Sequence, residues 1–197
     1  MSSRLFKGSF FIIFLIPLVV LLFSFFNERL GANPIEVLTR DTGQWALRFL
    51  LISLCISPLR LLFGWHFLAP IRRMIGLYCF FYASIHMLLY IWLDQFFNLG
   101  DIIDDIIERP FITVGVISFL ALIPLAVTSN DKMKKRLGSE RWKRLHSVIY
   151  FIGMGGALHF FMLVKKDITE PLIYIAILVI LLGIRLFRYG RRRLISF

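Results

Sequence analysis

Residues 146–165 read HSVIYFIGMGGALHFFMLVK, twenty residues in which Lys165 is the only lysine, arginine, aspartate or glutamate. An α-helix rises about 1.5 Å per residue, so about 20 mostly apolar residues are needed to cross a hydrocarbon core about 30 Å thick. The stretch therefore predicts a transmembrane helix, and His146 and His159 are expected to lie within it.

Five further stretches have this length and character. Together with the first they predict six transmembrane helices, at about 8–26, 43–63, 74–94, 111–128, 146–165 and 169–187. The composition agrees, because 58% of the residues are hydrophobic and 18% are charged, against about 45–50% and about 25% in soluble domains. A soluble enzyme, a disordered chain and a disulfide scaffold are thereby excluded. We expect an all-α integral membrane protein in which residues 1–197 form a single domain.

The charged residues divide the predicted loops into two sets. The net charge is +11, and 17 of the 23 basic residues lie at the N-terminus, in the second and fourth loops, and in the C-terminal tail. Ten of the 12 acidic residues lie on the opposite side. Because cytoplasmic loops are enriched in lysine and arginine, both termini are predicted to be cytoplasmic. The positive charge is thus interpreted as a label of topology in a lipid bilayer, and no nucleic-acid partner is expected.

The third loop, residues 94–110, is acidic but carries an apolar stripe. Isoleucine recurs at helical spacing at Ile102, Ile103, Ile106 and Ile107. This pattern predicts an amphipathic helix lying in the outer membrane interface. The same stripe also suits the docking surface of a partner protein, and both interpretations stay open.

Two histidines are predicted to lie at the same depth on different helices. His86 is twelve residues beyond Met74, where the third helix begins, and His159 is thirteen residues beyond His146. At about 1.5 Å per residue, both lie about 18–20 Å from the cytoplasmic side. Two imidazoles at one level suit the two axial positions of a heme iron. Two unrelated interhelical hydrogen bonds are the alternative.

The other two histidines are harder to assign. On an ideal helix, thirteen steps of about 100° leave His146 and His159 about 220° apart, on nearly opposite faces. His146 is therefore a candidate ligand of a second heme at an inner level, or a contact for a head group, a quinone or a flavin. His66 falls in the second cytoplasmic loop, where a surface position is expected.

Three further side chains are candidate cofactor contacts. Tyr82 and Tyr90 lie four residues on either side of His86 and share its helix face, so both are candidates to line the heme. Arg48, just inside the outer end of the second helix, is predicted to pair with a heme propionate, with snorkelling to the interface as the alternative. The sequence contains no glycine-rich dinucleotide fingerprint, P-loop or HExxH motif, so it offers no familiar route to NAD(P)H binding.

Several segments follow the pattern of one known family. They are SPLR at 57–60, RRMIGL at 72–77, Tyr82 through His86 to Tyr90, RPFITVG at 109–115, LAVTS at 125–129, and WKRLHSVIY at 142–150 followed by His159. Through these motifs essentially the whole chain resembles the MsrQ (YedZ) family, the heme-binding membrane subunits of the bacterial protein-methionine-sulfoxide reductase system. That family is similar in turn to the ferric-reductase-like and NADPH-oxidase-like membrane domains.

The resemblance implies a multi-pass protein of the bacterial inner (cytoplasmic) membrane that carries b-type heme and FMN. It implies electron transfer from the quinone pool or a cytoplasmic flavin reductase to a periplasmic molybdopterin-containing subunit. That subunit would reduce methionine sulfoxide in oxidised periplasmic proteins, so no catalytic residue is expected in this chain. By motif, His86, His146 and His159 correspond to the family's histidines.

Two other kinds of function stay open at this point. The same heme chemistry would serve a cytochrome b anchor of another oxidoreductase, or a metalloreductase without its flavin domain. A small transporter or a membrane sensor with structural histidines belongs to a different class, and the absence of a b-type heme spectrum would favour it.

Overall fold

The computed structural model describes residues 3–195 and the side chains of residues 8–187. In this part of the chain the α-helices are α1 (Ser3–Phe26), α2 (Pro34–Phe63), α3 (Ala69–Leu89), α4 (Leu99–Glu108), α5 (Pro110–Val127), α6 (Asp131–Leu137), α7 (Ser139–His146), α8 (Ile149–Leu163) and α9 (Thr169–Ile195). A 3₁₀ turn at His66–Leu68 precedes α3, and a π-helical turn at Tyr90–Asp94 follows it. The terminal basic side chains used for the topology prediction lie outside the described side chains: Arg4, Lys7, Arg188, Arg191, Arg192 and Arg193.

The predicted fold with six membrane-crossing helices is confirmed. Within the described residues, six segments are long and apolar enough to cross a membrane: Gly8–Phe26, Pro34–Phe63, His66–Asp94, Pro110–Val127, Ser139–Leu163 and Thr169–Phe187. Since six crossings return the chain to the side on which it started, the loops before α3 and after α5 lie on one side. The loop that contains α4 lies on the other.

The second helix begins at Pro34, earlier than the predicted start at 43. Asn33 caps it, because its side-chain oxygen accepts the backbone N–H of Glu36 at 3.3 Å. Proline in the first turn adds to this start signal, and Gly64, with φ of 69°, ends the helix. The first turns are polar, so hydropathy alone did not show that they continue the helix.

The predicted continuous helix 146–165 is wrong at its beginning. His146 is the last residue of α7, and α8 starts only at Ile149. Between them the backbone tightens, with the N–H of Ser147 shared between the carbonyls of Lys143 and Arg144 at 3.0 and 3.2 Å. The ideal-helix angle between His146 and His159 therefore does not apply.

Two helix pairs form the centre of the bundle. α2 packs most extensively against α3, and α5 against α8. Phe49, Leu54 and Tyr82 are among the most buried side chains, and all three belong to the first pair. α1 lies at the edge with many exposed apolar residues, as suits contact with lipid. A ligand held between the two pairs is thus enclosed by four helices.

The amphipathic helix predicted in the third loop is present as α4. Asn98 caps it by accepting the backbone N–H of Gly100 at 3.0 Å. The chain reaches it through Phe96 and Phe97, whose φ values of 47° and 59° are unusual for residues other than glycine. Its placement in a membrane interface stays a prediction.

Candidate functional site

The side chains of His86 and His159 meet at the centre of the bundle. Their ring centroids are 6.2 Å apart and the ring planes are inclined by 78°. His86 comes from α3 and His159 from α8, so the two helix pairs each contribute one ring. Both rings line a single cavity of about 540 Å³. The two histidines that the sequence placed at one depth thus lie next to each other in the structure, and their role as ligands stays a prediction.

The two rings are held in the same way by hydrogen bonds to backbone carbonyls. Nδ1 of His86 lies 2.8 Å from the carbonyl oxygen of Thr39, and Nδ1 of His159 lies 2.7 Å from that of Phe111. A carbonyl oxygen only accepts, so each Nδ1 carries the proton and each neutral ring keeps a lone pair on Nε2. Among the described residues no hydrogen bond uses either Nε2. Both nitrogens are therefore available as metal ligands, in the manner of histidines oriented by a backbone partner.

The spacing of the rings fits coordination of one metal ion between them. Bonds from imidazole nitrogen to a metal are about 2 Å long, which places two such rings on opposite sides of one ion about 6 Å apart, centroid to centroid. Within the described part of the chain, no group of three or more His, Cys, Asp or Glu side chains is placed to hold a bare metal ion. Two histidines alone suit an iron whose other ligands come from a porphyrin.

The walls of the cavity are apolar in the middle of the membrane and polar at one end. The apolar part includes Leu50, Cys79, Leu122 and Ile152. The polar rim is formed by Arg40, Gln44, Asp94, Gln95, Asp105 and Arg109. A flat, largely apolar ligand with charged groups at one edge matches this division, and heme is such a ligand.

Asp105 organises the rim. Its carboxylate accepts hydrogen bonds from Gln95 Nε2 at 2.6 Å and from the Tyr90 hydroxyl at 3.2 Å, and it pairs with Arg109 Nε at 3.2 Å. The side chain is 14% exposed. These contacts tie the end of α3 and the helix α4 to the start of α5. The mouth of the cavity is therefore built around one carboxylate, which sequence reasoning had placed only in an acidic loop.

Comparison with known proteins places the chain in a family. Residues 42–157 match the family model described as "Ferric reductase like transmembrane component". The protein named protein-methionine-sulfoxide reductase heme-binding subunit MsrQ from Rhodospirillum rubrum is 50% identical over 191 residues, which cover 97% of this chain and 92% of that protein. This chain belongs to the MsrQ family.

Two further relatives with the same name support the assignment. The MsrQ protein of Azospira oryzae is 46% identical over 180 residues, covering 91% of this chain and 77% of that protein. The MsrQ protein of Herminiimonas arsenicoxydans is 44% identical over 191 residues, covering 96% and 88%. No solved structure matches the chain.

Of the three histidines that match the MsrQ pattern, His146 lies apart from the other two. Its ring stacks on Trp142, with centroids 3.9 Å apart, and its Nε2 is 3.0 Å from the hydroxyl of Thr128. That hydroxyl donates its own proton to the carbonyl of Pro124 at 2.6 Å, so His146 Nε2 donates to Thr128. Here Nε2 is engaged, in contrast to the central pair.

Arg48 lies behind the cavity rim. Its Nε donates to the Tyr174 hydroxyl at 2.8 Å and its Nη2 to Gln44 Oε1 at 2.9 Å. The guanidinium also lies over the Trp45 ring, 4.8 Å from its centroid. Arg48 therefore meets the cavity through Gln44, whereas Arg40 and Arg109 line it directly.

Tyr82 faces α1 and not the cavity. The side chain is 0% exposed, and its hydroxyl donates to the carbonyl of Phe14 at 2.9 Å and accepts the N–H of Leu18 at 3.1 Å. The tyrosine that lines the cavity is Tyr90, four residues beyond His86. His66 is exposed in its 3₁₀ turn, as expected.

The opposite half of the bundle contains arginines that reach inward. Arg185 donates from Nη2 to the carbonyl of Leu54 at 2.7 Å and from Nη1 to the Tyr150 hydroxyl. The Nε atoms of Arg60 and Arg185 are buried and have no hydrogen-bond partner. Arg72 lies within electrostatic range of both. A buried cationic donor without a partner is costly in a membrane, so the two Nε atoms suit an anionic group.

Proposed function

We propose that this protein is the heme-binding, electron-transferring membrane subunit of a protein-methionine-sulfoxide reductase. The observation that carries the proposal is the pair formed by His86 and His159, whose centroids are 6.2 Å apart and whose Nδ1 atoms are both held by backbone carbonyls. The names of the MsrQ relatives, which include heme binding, support it. The function belongs to the two rings together, because they come from different helix pairs.

One b-type heme is assigned to the cavity, where Nε2 of His86 and Nε2 of His159 would hold its iron. When bound, the heme iron exchanges one electron between its ferric and ferrous states. The chain holds the proton of each ligand on Nδ1, keeps both rings neutral, and surrounds the site with apolar side chains such as Leu50 and Ile152. A second heme is not assigned to His146, because its Nε2 already donates to Thr128.

The heme propionates are assigned to the polar rim. Arg40 and Arg109 supply the guanidinium groups that line the cavity there. Thr39 adds a buried hydroxyl oxygen without a hydrogen-bond partner, on the residue whose carbonyl holds His86. Arg48, the candidate from the sequence, takes an indirect part by orienting Gln44.

The charge distribution supports an orientation in the membrane, and with it a direction of electron flow. Ten of the 17 basic residues with described side chains lie in or beside the loops before α3 and after α5, so this side is assigned to the cytoplasm. The cavity rim is then on the periplasmic side of the inner membrane, facing a molybdopterin-containing subunit as electron acceptor. The donor is assigned to the cytoplasmic side, as the quinone pool or a flavin reductase.

FMN is assigned to the cytoplasmic half. The unpartnered Nε atoms of Arg60 and Arg185 are suited to a phosphate, because guanidinium donors match phosphate oxygens. His146 and Trp142, stacked on each other, lie on the same side of the bundle. FMN would supply a carrier that links a two-electron donor with one-electron transfer.

The test is a spectrum of the purified protein with quantification of heme and flavin. We expect a low-spin b-type spectrum on reduction, about one heme per chain, and loss of that heme in His86→Ala and in His159→Ala. His66→Ala is the matched control, because His66 is exposed and its removal should leave the spectrum unchanged. A wild-type protein without heme, or full heme retention in both central variants, contradicts the proposal.

The acceptor is tested separately. Reduced protein should be reoxidised by a periplasmic molybdopterin subunit that reduces methionine sulfoxide, and much more slowly by a ferric chelate. Faster reoxidation by the ferric chelate would instead favour the metalloreductase function.

A further inference from the structure

Each central histidine packs against a glycine of the neighbouring helix. The ring of His86 lies on α2 over Gly43, and the ring of His159 lies on α5 over Gly115. The carbonyls that hold the rings belong to Thr39 and Phe111. In both cases the carbonyl is four residues before the glycine, one helical turn away.

The spacing of four follows from helix geometry. In an α-helix the carbonyl of one residue accepts the N–H of the residue four positions later, so Thr39 is matched with Gly43 and Phe111 with Gly115. A carbonyl oxygen has two lone pairs, so the histidine Nδ1–H can donate to the same oxygen. At Thr39 the hydroxyl of Thr42 also lies 3.0 Å from this oxygen, but its shorter contact, 2.8 Å, is to the carbonyl of Leu38. To reach the oxygen of Thr39 or Phe111 from the side, the ring must lie directly over the later residue.

Only glycine leaves room for this approach. A Cβ atom at position 43 would be 3.0 Å from both Cε1 and Nδ1 of His86. A Cβ atom at position 115 would be 2.9 Å from Nδ1 and 3.0 Å from Cε1 of His159. These distances are well below the optimal separation of carbon atoms, about 3.5–4.0 Å. An alanine at either position would therefore force the ring to shift relative to the carbonyl that holds it.

We propose that Gly43 and Gly115 are positioning residues that set the location and the protonated nitrogen of the two axial histidines. This inference rests on the proposed binding of heme by His86 and His159. Each glycine and the carbonyl four residues before it form a notch on one helix, and each notch serves one ligand. The two halves of the site are therefore constructed alike although they come from different helices.

The two notches also lower the midpoint potential of the heme, through the hydrogen bonds that they allow. A hydrogen bond from Nδ1–H to a carbonyl increases the basicity of the coordinating Nε2. A more basic ligand stabilises ferric over ferrous iron, so both notches lower the midpoint potential of the heme. Weakening either hydrogen bond raises that potential.

Close helix packing is a weaker explanation of these two glycines. The nearest atoms at positions 43 and 115 belong to the histidine rings, not to a neighbouring backbone. At Gly153, by contrast, a Cβ atom would meet Leu50 and Leu178 at 3.2 and 3.3 Å, which is the pattern of helix packing. At Gly183 nothing lies within 4 Å.

The experiment compares Gly43→Ala and Gly115→Ala with Gly153→Ala and Gly183→Ala in purified full-length protein. We expect each of the first two to lower the low-spin heme fraction at least several-fold, or to raise the midpoint potential of the heme that remains. Gly183→Ala should match the wild type in both measurements. Gly153→Ala should lower stability, because its Cβ meets Leu50 and Leu178, but its bound heme should keep the wild-type potential. This result separates ligand positioning from packing.

Three outcomes decide the proposal. Wild-type spin state and potential in both Gly43→Ala and Gly115→Ala overturn it, provided that His86→Ala and His159→Ala lose the heme. Heme retained in the two histidine variants overturns the proposed function itself, and the notches with it. A changed potential or spin state confined to the two notch variants supports it.

A measurement on the wild type covers the case in which the alanine variants do not accumulate. The notches hold the two ring planes 78° apart, and electron paramagnetic resonance of oxidised heme is sensitive to the angle between axial imidazoles. A spectrum of nearly perpendicular imidazoles supports the proposal. A spectrum of parallel imidazoles overturns it.

Discussion

His159 and His146 lie close in the sequence but are held in opposite ways. His159 uses Nδ1 to reach the carbonyl of Phe111 at 2.7 Å, which leaves Nε2 for a metal. His146 uses Nε2 to reach the hydroxyl of Thr128 at 3.0 Å and stacks on Trp142. Whether a histidine can coordinate iron through Nε2 therefore depends on which ring nitrogen its hydrogen-bond partner engages, and not on its depth in the membrane.

The two ends of the bundle differ in their charged groups as well. At the rim of the cavity that His86 and His159 line, cations and carboxylates are balanced, as in the pair of Arg109 with Asp105. In the opposite half, Arg60 and Arg185 each keep a buried Nε without a partner. The rim arginines Arg40 and Arg109 already have carboxylates beside them, whereas the opposite half keeps two buried Nε donors open to an anion.

The largest expected effect is on heme content, when His159 and His146 are each replaced by alanine. His159→Ala should remove the heme nearly completely, because one axial ligand is lost. His146→Ala should retain it, because that ring lies outside the cavity. Heme content per chain, from the spectrum of the purified variants, is the measurement. Equal loss of heme in both variants would mean that His146 also holds iron, which would contradict the distinction between His146 and His159.

Asp105→Asn tests how much the ion pair of Asp105 with Arg109 at the cavity rim contributes to stability. The amide keeps an acceptor oxygen but loses the charge that pairs with Arg109, and a hydrogen bond to a charged group contributes about 1.5–3 kcal/mol. Since Asp105 is only 14% exposed, we expect a decrease of about 1–2 kcal/mol in the free energy of unfolding. Chemical unfolding in detergent measures it. Asp104→Asn is the control, because Asp104 is exposed; an equal decrease there would show that the charge of α4, not the contact, matters.

Tyr82→Phe distinguishes attachment of α1 from contact with the heme. Loss of the hydroxyl leaves the carbonyl of Phe14 and the N–H of Leu18 without this partner. Hydrogen bonds between membrane helices contribute about 0.6 kcal/mol on average and about 1.7 at most, so we expect a small loss of stability with an unchanged heme spectrum. Tyr78→Phe removes a single bond, to the carbonyl of Phe11, and should cost less. A shifted heme spectrum in Tyr82→Phe would instead indicate that Tyr82 contacts the heme.

The smallest expected effect is on the heme midpoint potential, when Arg40 in the cavity lining and Arg48 behind it are each replaced by glutamine. Arg40→Gln removes a positive charge from the cavity lining and should lower the heme midpoint potential slightly, because a nearby cation favours the less positive ferrous form. The side chain is 51% exposed, so salt should reduce the change. Arg48→Gln should change the potential less. Redox titration at low and high salt measures both, and a larger shift in Arg48→Gln would assign the propionate to Arg48 after all.

The motif RPFITVG at 109–115 pointed to the family but did not show which side chain its residues contact. Arg109 lines the rim, the carbonyl of Phe111 holds His159, and Gly115 accommodates the ring. The motif identified the family, but its residues act on a histidine 44 positions after Gly115. The segment at 39–43 repeats the arrangement for His86 and was not singled out, because only polar residues surround Gly43 on the sequence.

Residue patterns alone were enough to predict the membrane fold, the six crossings and the common depth of His86 and His159. These depend on the length of apolar runs and on the rise of a helix, which are local and additive. The three-dimensional packing was needed to show which nitrogen each histidine presents and that Tyr82 turns to α1. These two properties depend on single hydrogen bonds between helices. Whether a carbonyl or a hydroxyl lies 3 Å from a ring is set by packing, which residue spacing along one helix does not encode.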